Sequence, residues 1–261
     1  MVFRSMARNQ KDHYYRLAKE EGYRARSAYK LLQINEKFHL IRKGDSVVDL
    51  GAAPGGWLQV AKELSGGTVV GVDLEKIAPI PGVLTFKADI TENETLDLIK
   101  GAIGDHADVV ICDAAPNLSG AWDVDHSRSI DLARSALRVA RMVLKPGGNF
   151  LVKVFQGDTF LDYLAEVRRE FEKSQAHSPA ASRKESAETY IIGKKLICGP
   201  VKMGDVYELQ IESLGRSGDG IALIDGFAVF VKGAKLGEKI RVKIETVKHN
   251  FAFGKLMDGK H

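Results

Sequence analysis

The chain has 261 residues and a mass of 28.6 kDa, with 44% apolar and 28% charged residues. This is ordinary globular composition, long enough for one large α/β domain and a small module, and it excludes a fibrous or wholly disordered chain. No apolar run reaches the roughly 18 residues of a membrane helix, and MVFRSMARNQKDHYYR has no apolar stretch behind its positive start, so neither a membrane partner nor a secretory signal is expected. The formal net charge of +4 is uneven: +6 over residues 1–45, −4 over 46–199 and +2 over 200–261, a pattern suited to a polyanion held from two sides. The two cysteines, Cys112 and Cys198, have neither zinc-binding spacing nor the number for a disulfide framework, so a cytoplasmic protein with reduced thiols is expected.

Residues 9–22 and 26–38 read as two helices, the second carrying Ala28, Leu31, Leu32 and Ile34 at helical spacing behind Ser27 as a cap. From Ser46 short β-branched runs (SVVDL, TVVGVD, VLTFKAD, DVVICD, NFLVKVF and TYIIGKKL) alternate with helical stretches near 57–65, 92–104, 126–144 and 158–172. That order predicts an α/β fold, a doubly wound, Rossmann-like parallel sheet. LKPGGNF reads as a helix end and Gly-rich turn, and SRKESAE as a polar loop. In DHSRSIDLARSALRVARMVL, Ile130, Leu132, Ala133, Ala136, Leu137, Ala140 and Leu144 form a core-facing stripe. His126, Arg128, Arg134, Arg138 and Arg141 read as the solvated side, with His126 a lesser candidate for substrate contact.

After Pro200 five short strands (YELQIESLG, IALIDG, FAVFVKG, KIRVKIETV and FAFGKLM) separated by Gly-rich turns predict a small closed barrel. The expected domains are therefore 1–199, with basic N-terminal helices over 1–45, and 200–261.

The first strand runs into Gly51-Ala52-Ala53-Pro54-Gly55-Gly56-Trp57. In an open α/β sheet ligands bind at the carboxyl ends of the strands, where glycines admit a close backbone approach and the next helix offers free N–H groups. Asp73, Asp89 and Asp113 end the next three strands. One such acid could cap a helix; three on one rim point to a nucleoside, Asp73 accepting from a ribose diol and Asp89 from an adenine amine. GxxxxGK[ST] is absent, which argues against nucleoside triphosphate hydrolysis. The loop also departs from GxGxxG, and Asp49 before it would repel phosphate while suiting a cation, so S-adenosyl-L-methionine fits better than a dinucleotide. A nicotinamide dehydrogenase rests on the glycine loop alone.

Lys153 interrupts the apolar strand LVKVF, where a buried ammonium must be paired or neutralised. Lys30 lies in RSAYKLLQI and Glu188 just before Tyr190-Ile191-Ile192. With VVDLGAAPGGWLQV, DAAPNLSG, LVKVFQG and SRKESAETY, these segments resemble the FtsJ/RrmJ family of ribose 2′-O-methyltransferases over residues 8–195. The resemblance implies a catalytic Lys30-Asp113-Lys153-Glu188 tetrad. It places S-adenosylmethionine contacts at Gly55, Trp57, Asp73, Asp89 and Asp113. The bacterial and archaeal branch implies methylation of a uridine ribose in large-subunit ribosomal RNA, with that RNA or the large subunit as partner. A neutral Lys153 would take the 2′-hydroxyl proton, and a charged one would orient the hydroxyl and stabilise its oxyanion. We expect the base, with Lys30 and Glu188 positioning the ribose or tuning Lys153. Direct methyl transfer needs no metal, and a monomer is expected.

Residues 202–261 resemble a TRAM domain, which implies RNA binding. Phe227, Phe230, Lys232, Lys235, Lys248, Phe251 and Phe253 are candidates, although any single Phe is expected to fill the small core instead. Transfer RNA, capped RNA and a non-catalytic role in ribosome assembly remain the alternatives.

Overall fold

The computed structural model of the chain describes residues 13–104, 106–183, 186–248 and 250–257. Residues 13–20 are helical (α1), and α2 spans Ala28–Phe38. Residues 9–12 of the first expected helix lie outside the described residues. Ser27 holds the N-cap position of α2 but already has helical dihedrals and makes no side-chain cap bond, so it is a turn residue rather than the expected cap.

The elements that follow are β1 (Val47–Leu50), α3 (Gly56–Ser65), β2 (Val69–Asp73), β3 (Val83–Lys87), α4 (Asn93–Ile103), β4 (Ala107–Cys112), α5 (Trp122–Val143), β5 (Leu144–Phe155), α6 (Phe160–Glu170), β6 (Phe171–His177) and β7 (Glu188–Leu196). The strands form one seven-stranded sheet in the order β3-β2-β1-β4-β5-β7-β6. The pairings from β3 through β5 are parallel. β7 runs antiparallel to both β5 and β6, so the sheet is mixed where a parallel one was expected. β6 itself went unread, the helix having been extended over its first residues.

The pleat divides the core in two. Val48, Leu50, Val110, Cys112, Phe150 and Val152 face Leu96 and Ile99 of α4, Ala133 and Ala136 of α5 and Tyr163 of α6. Val47, Val109, Ile111, Leu151 and Ile192 face Leu31 and Ile34 of α2 and Trp57 and Leu58 of α3. β1 is buried along its whole length, which is why it reads as an unbroken apolar run save Asp49. LKPGGNF belongs to β5: Leu144 pairs with Ala107 and Asn149 with Val109, so the Pro-Gly-Gly stretch bulges out of the strand.

The C-terminal sheet has six strands: β8 (Val206–Gln210), β9 (Ser213–Leu214), β10 (Gly220–Ile224), β11 (Phe227–Val231), β12 (Lys239–Val247) and β13 (Phe251–Leu256). Their order is β8-β12-β13-β11-β10-β9. The two ends, β8 and β9, are consecutive pieces of one bent segment, so the sheet curls back on itself. Its core is Val229, Val231, Val242, Ile244 and Ala252, joined by Ile197 and Val201 from the connection. Lys202 bonds Glu170 at 2.7 Å and Arg169 meets Asp205 at 3.3 Å where the two sheets adjoin.

Candidate active site

The carboxyl edge of the parallel strands carries a cavity of about 470 Å³, lined among others by Gly51, Asp73, Asp89, Asp113, Asn117 and Leu132. Gly51 must be glycine. Its φ is +71°, and a Cβ there would be driven into Ala114. Asp73 orders the rim: Oδ2 accepts from the Ala53 amide and Oδ1 from the Glu75 amide, both at 2.8 Å. Asp89 accepts from the Thr91 amide and hydroxyl at 2.8 Å, and these bonds hold its carboxyl below the usual range.

Gly55 and Trp57 do not line this cavity. Gly55 caps α3 at φ +109°. Trp57 is 3% exposed; its indole donates to the Ser27 carbonyl at 2.8 Å and packs on Tyr190 with centroids 5.8 Å apart. What these residues offer a ligand is backbone in the first turn of α3, whose N–H groups have no intrahelical acceptors.

Asp49 corrects the sequence reading. It is fully buried, and neither carboxyl oxygen has a hydrogen-bond partner. Burial, reinforced by Asp113 and Asp73, pushes its carboxyl well up. Buried, absent from the cavity wall and with its charged form disfavoured, Asp49 is no part of the acidic rim, which Asp73, Asp89 and Asp113 supply.

The four tetrad residues converge as two pairs. Lys153 reaches the Asp113 carbonyl at 2.5 Å and its Oδ1 at 3.3 Å. Lys30 meets Glu188 at 3.0 Å. Burial works to raise the Glu188 carboxyl, but Lys30 and Lys153, with bonds from Lys30 and Ser186, outweigh it and hold it low. Asp113 lines the cavity and bonds Lys153, so it joins the ligand cavity to the lysines.

Tyr190 was missed as a site residue. It pairs with Lys153 in the β5–β7 ladder, donates to Asp113 Oδ1 at 2.6 Å and lies with its ring 5.6 Å from the Lys30 ammonium. Sequence carried no signal for it, because the pairing that puts Tyr190 on the face of Lys153 depends on the antiparallel direction of β7.

On α5, Arg128, Arg134, Arg138 and Arg141 are exposed as expected of the solvated side, and only His126 departs from it. His126 is buried, its Nε2 2.9 Å from the Thr159 hydroxyl. Arg134 bonds Glu166, Arg138 donates to the Ile90 and Thr91 carbonyls, and Arg141 lies 3.4 Å from Glu170. These arginines tie α5 to its neighbours. In the C-terminal sheet, Phe227 fills the core as expected of any one Phe. Phe230, Phe251 and Phe253 do not: they meet one another outside it, with centroids 5.4–5.9 Å apart. Lys232 and Lys235 are exposed and Lys248 half-buried.

A mixed sheet with β7 inserted antiparallel, an acid-rimmed cavity and a Lys-Asp-Lys-Glu cluster beside it together define a methyltransferase fold and site. Residues 23–196 match the FtsJ-like methyltransferase model and residues 200–257 the TRAM domain model, and the chain belongs to the FtsJ-like methyltransferase family. It is 67% identical over 97% of its length to the ribosomal RNA large subunit methyltransferase E of Methanothrix thermoacetophila, covering 99% of that protein. It is 61% identical to the protein of the same name from Methanosarcina barkeri, covering 95% of each chain. A solved structure of a ribosomal RNA methyltransferase from Plasmodium falciparum superposes with a TM-score of 0.62 at 26% identity, covering 67% of this chain and 98% of that one.

Proposed function

We propose that the protein transfers a methyl group from S-adenosyl-L-methionine to the ribose 2′-oxygen of a uridine in large-subunit ribosomal RNA, in the cytoplasm. The observation that carries this reading is the bond from Lys153 to Asp113, a residue that also lines the acid-rimmed cavity. The names of the relatives supply the substrate class.

The residues suit this cofactor. Gly51 brings its backbone to the cavity wall, Asp73 and Asp89 present carboxylates to a ribose diol and an adenine, and the rim favours a cationic group. When bound, S-adenosyl-L-methionine supplies an electrophilic methyl on a sulfonium. Lys153, as the neutral amine, takes the proton from the 2′-hydroxyl as the oxygen attacks, and Asp113 holds its nitrogen in place and pairs with the ammonium that forms. Lys30 and Glu188, locked to each other, orient the ribose, which makes positioning a main source of rate. Residues 200–261 form the second RNA-holding unit, through the outer phenylalanines.

The test is incubation with radiolabelled S-adenosyl-L-methionine and ribosomal subunits lacking modifications, beside Lys153→Ala. Label in 2′-O-methyluridine, lost in the variant although cofactor still binds, is expected. Label confined to transfer RNA or capped RNA would move the substrate, and label in no RNA would overturn the reading.

A further inference from the structure

Trp122 opens α5, at the end of the loop that leaves β4, and remains 49% exposed. It is braced all the same. Its ring stacks with Phe155 at 6.0 Å between centroids and 25° between planes, and with His126 at 6.3 Å and 17°. Both supports are buried. His126 is itself fixed: its Nε2 lies 2.9 Å from the Thr159 hydroxyl and accepts from the Thr159 amide at 3.3 Å, while a Cβ on Gly157 would lie 2.7 Å from its ring. The loop before the indole is pinned as well, since Asp125 accepts from the Ser119 amide and hydroxyl and from the Gly120 amide.

The brace stands beside the lysines. In the β5–β7 ladder Lys153 opposes Tyr190 and Phe155 opposes Glu188. Opposed residues share a face, and so do residues two apart, which sets Phe155 about 7 Å along the strand from Lys153. The indole resting on Phe155 therefore borders the tetrad. A ribose carries its 2′-oxygen and its base on adjacent carbons, so a 2′-hydroxyl at Lys153 brings the base to this border. A nucleotide drawn out of a folded RNA loses its stacking neighbours, and an aromatic surface replaces them.

We propose that the open surface of the Trp122 indole is the platform on which the base of the nucleotide being methylated stacks. The inference rests on RNA being the substrate. Stacking of this kind tolerates any base, so the indole contributes affinity and position while base choice is made elsewhere.

The experiment compares the full chain with Trp122→Ala and Trp122→Phe on ribosomal RNA. Trp122→Ala is expected to raise KM for RNA by about 10- to 100-fold, the range for loss of one base–aromatic stack. Affinity for S-adenosyl-L-methionine, read by calorimetry, stays unchanged, and Trp122→Phe recovers most of the loss. The chain has two tryptophans, the other being the buried Trp57, so a second readout is available. RNA should quench the wild-type emission and leave that of Trp122→Phe nearly unaltered. If Trp122→Ala does not fold, this comparison decides alone. A wild type that methylates RNA beside a Trp122→Ala protein of equal KM overturns the platform only. Equal quenching in wild type and Trp122→Phe does the same. A wild type that transfers no methyl to any RNA overturns the functional reading beneath it.

Discussion

Tyr190 and Lys153 converge on one oxygen: the phenol donates to Asp113 Oδ1 at 2.6 Å, and the Lys153 Nζ lies 3.3 Å from the same atom. Burial, then the Asp113 charge, pushes the Tyr190 phenol well above its ordinary range, so it stays a donor. Tyr190→Phe would leave Asp113 free to rotate away from Lys153. A hydrogen bond to a charged group is worth roughly 1.5–3 kcal/mol, so kcat should fall by about 10-fold or more. Cofactor affinity should fall less than kcat, because Asp73 and Asp89 still line the cavity and the ring keeps its packing on Trp57. Steady-state kinetics beside calorimetry checks this, and a variant with wild-type kcat would sink it.

The grouping of Lys30, Asp113, Lys153 and Glu188 was legible because they sit in short, distinctive segments, and Lys153 stands out as a charge among valines. The antiparallel direction of β7 was not legible. Its apolar run is as continuous as that of a parallel strand, because the residues β5 and β6 leave it are covered on both faces. β6 failed for the opposite reason: FEKSQAH is an edge strand with one deeply buried residue, Phe171, and the rest of it reads as polar surface. Asp49 looked like a rim acid by position, yet the pleat turns its side chain inward with Val47 rather than to the cavity.

Arg24 straps the N-terminal segment to the glycine loop. Its guanidinium donates to the carbonyls of Pro54 at 3.1 Å, Ala78 at 2.6 Å and Pro79 at 2.7 Å, and its own amide donates to Gln59. One planar fork thereby holds both the glycine loop and the stretch between β2 and β3. Arg24→Ala should weaken S-adenosyl-L-methionine binding by about 10-fold, the cost of losing one or two net hydrogen bonds. Arg24→Lys should recover little, since a single ammonium cannot span three carbonyls. Calorimetric titration checks both, and full recovery by lysine would show that charge alone matters.

Asp49 gives stability a pH dependence of definite sign. Its folded-state pKa is raised, by burial first and then by Asp113 and Asp73. Below the unfolded value of about 3.9 both states are protonated and ionisation adds no cost. As pH rises the unfolded chain ionises first, so stability falls from that point until the folded pKa is passed. Asp49→Asn cannot ionise and lacks this fall. The difference in melting temperature between Asp49→Asn and wild type should therefore grow in the variant's favour from pH 4.5 to pH 8. Scanning calorimetry across that range reads it, and parallel curves would show that Asp49 is not the source.

The C-terminal phenylalanines offer the sharpest contrast, because one residue type serves two purposes. In FAVFV and FAFGKL every residue near the phenylalanines is apolar or small, so alternation gives no contrast by which sequence could choose the inner face. The ladder chooses it: Val229 pairs with Ala252 in the core, and Phe230 pairs with Phe253 outside. Phe227, three positions before Phe230, falls on the inner side. Phe227→Ala should destabilise the C-terminal sheet by about 3 kcal/mol, as for a buried aromatic truncated to alanine. Phe253, 44% exposed, should cost no more than about 0.5 kcal/mol on the same change. Phe253→Ala combined with Phe251→Ala should instead weaken binding of single-stranded ribosomal RNA by about 10-fold, through lost stacking. Urea denaturation and fluorescence anisotropy on the two sets separate the roles. Unchanged RNA affinity in the outer pair would remove these rings from the RNA surface and leave the lysines around them to account for binding.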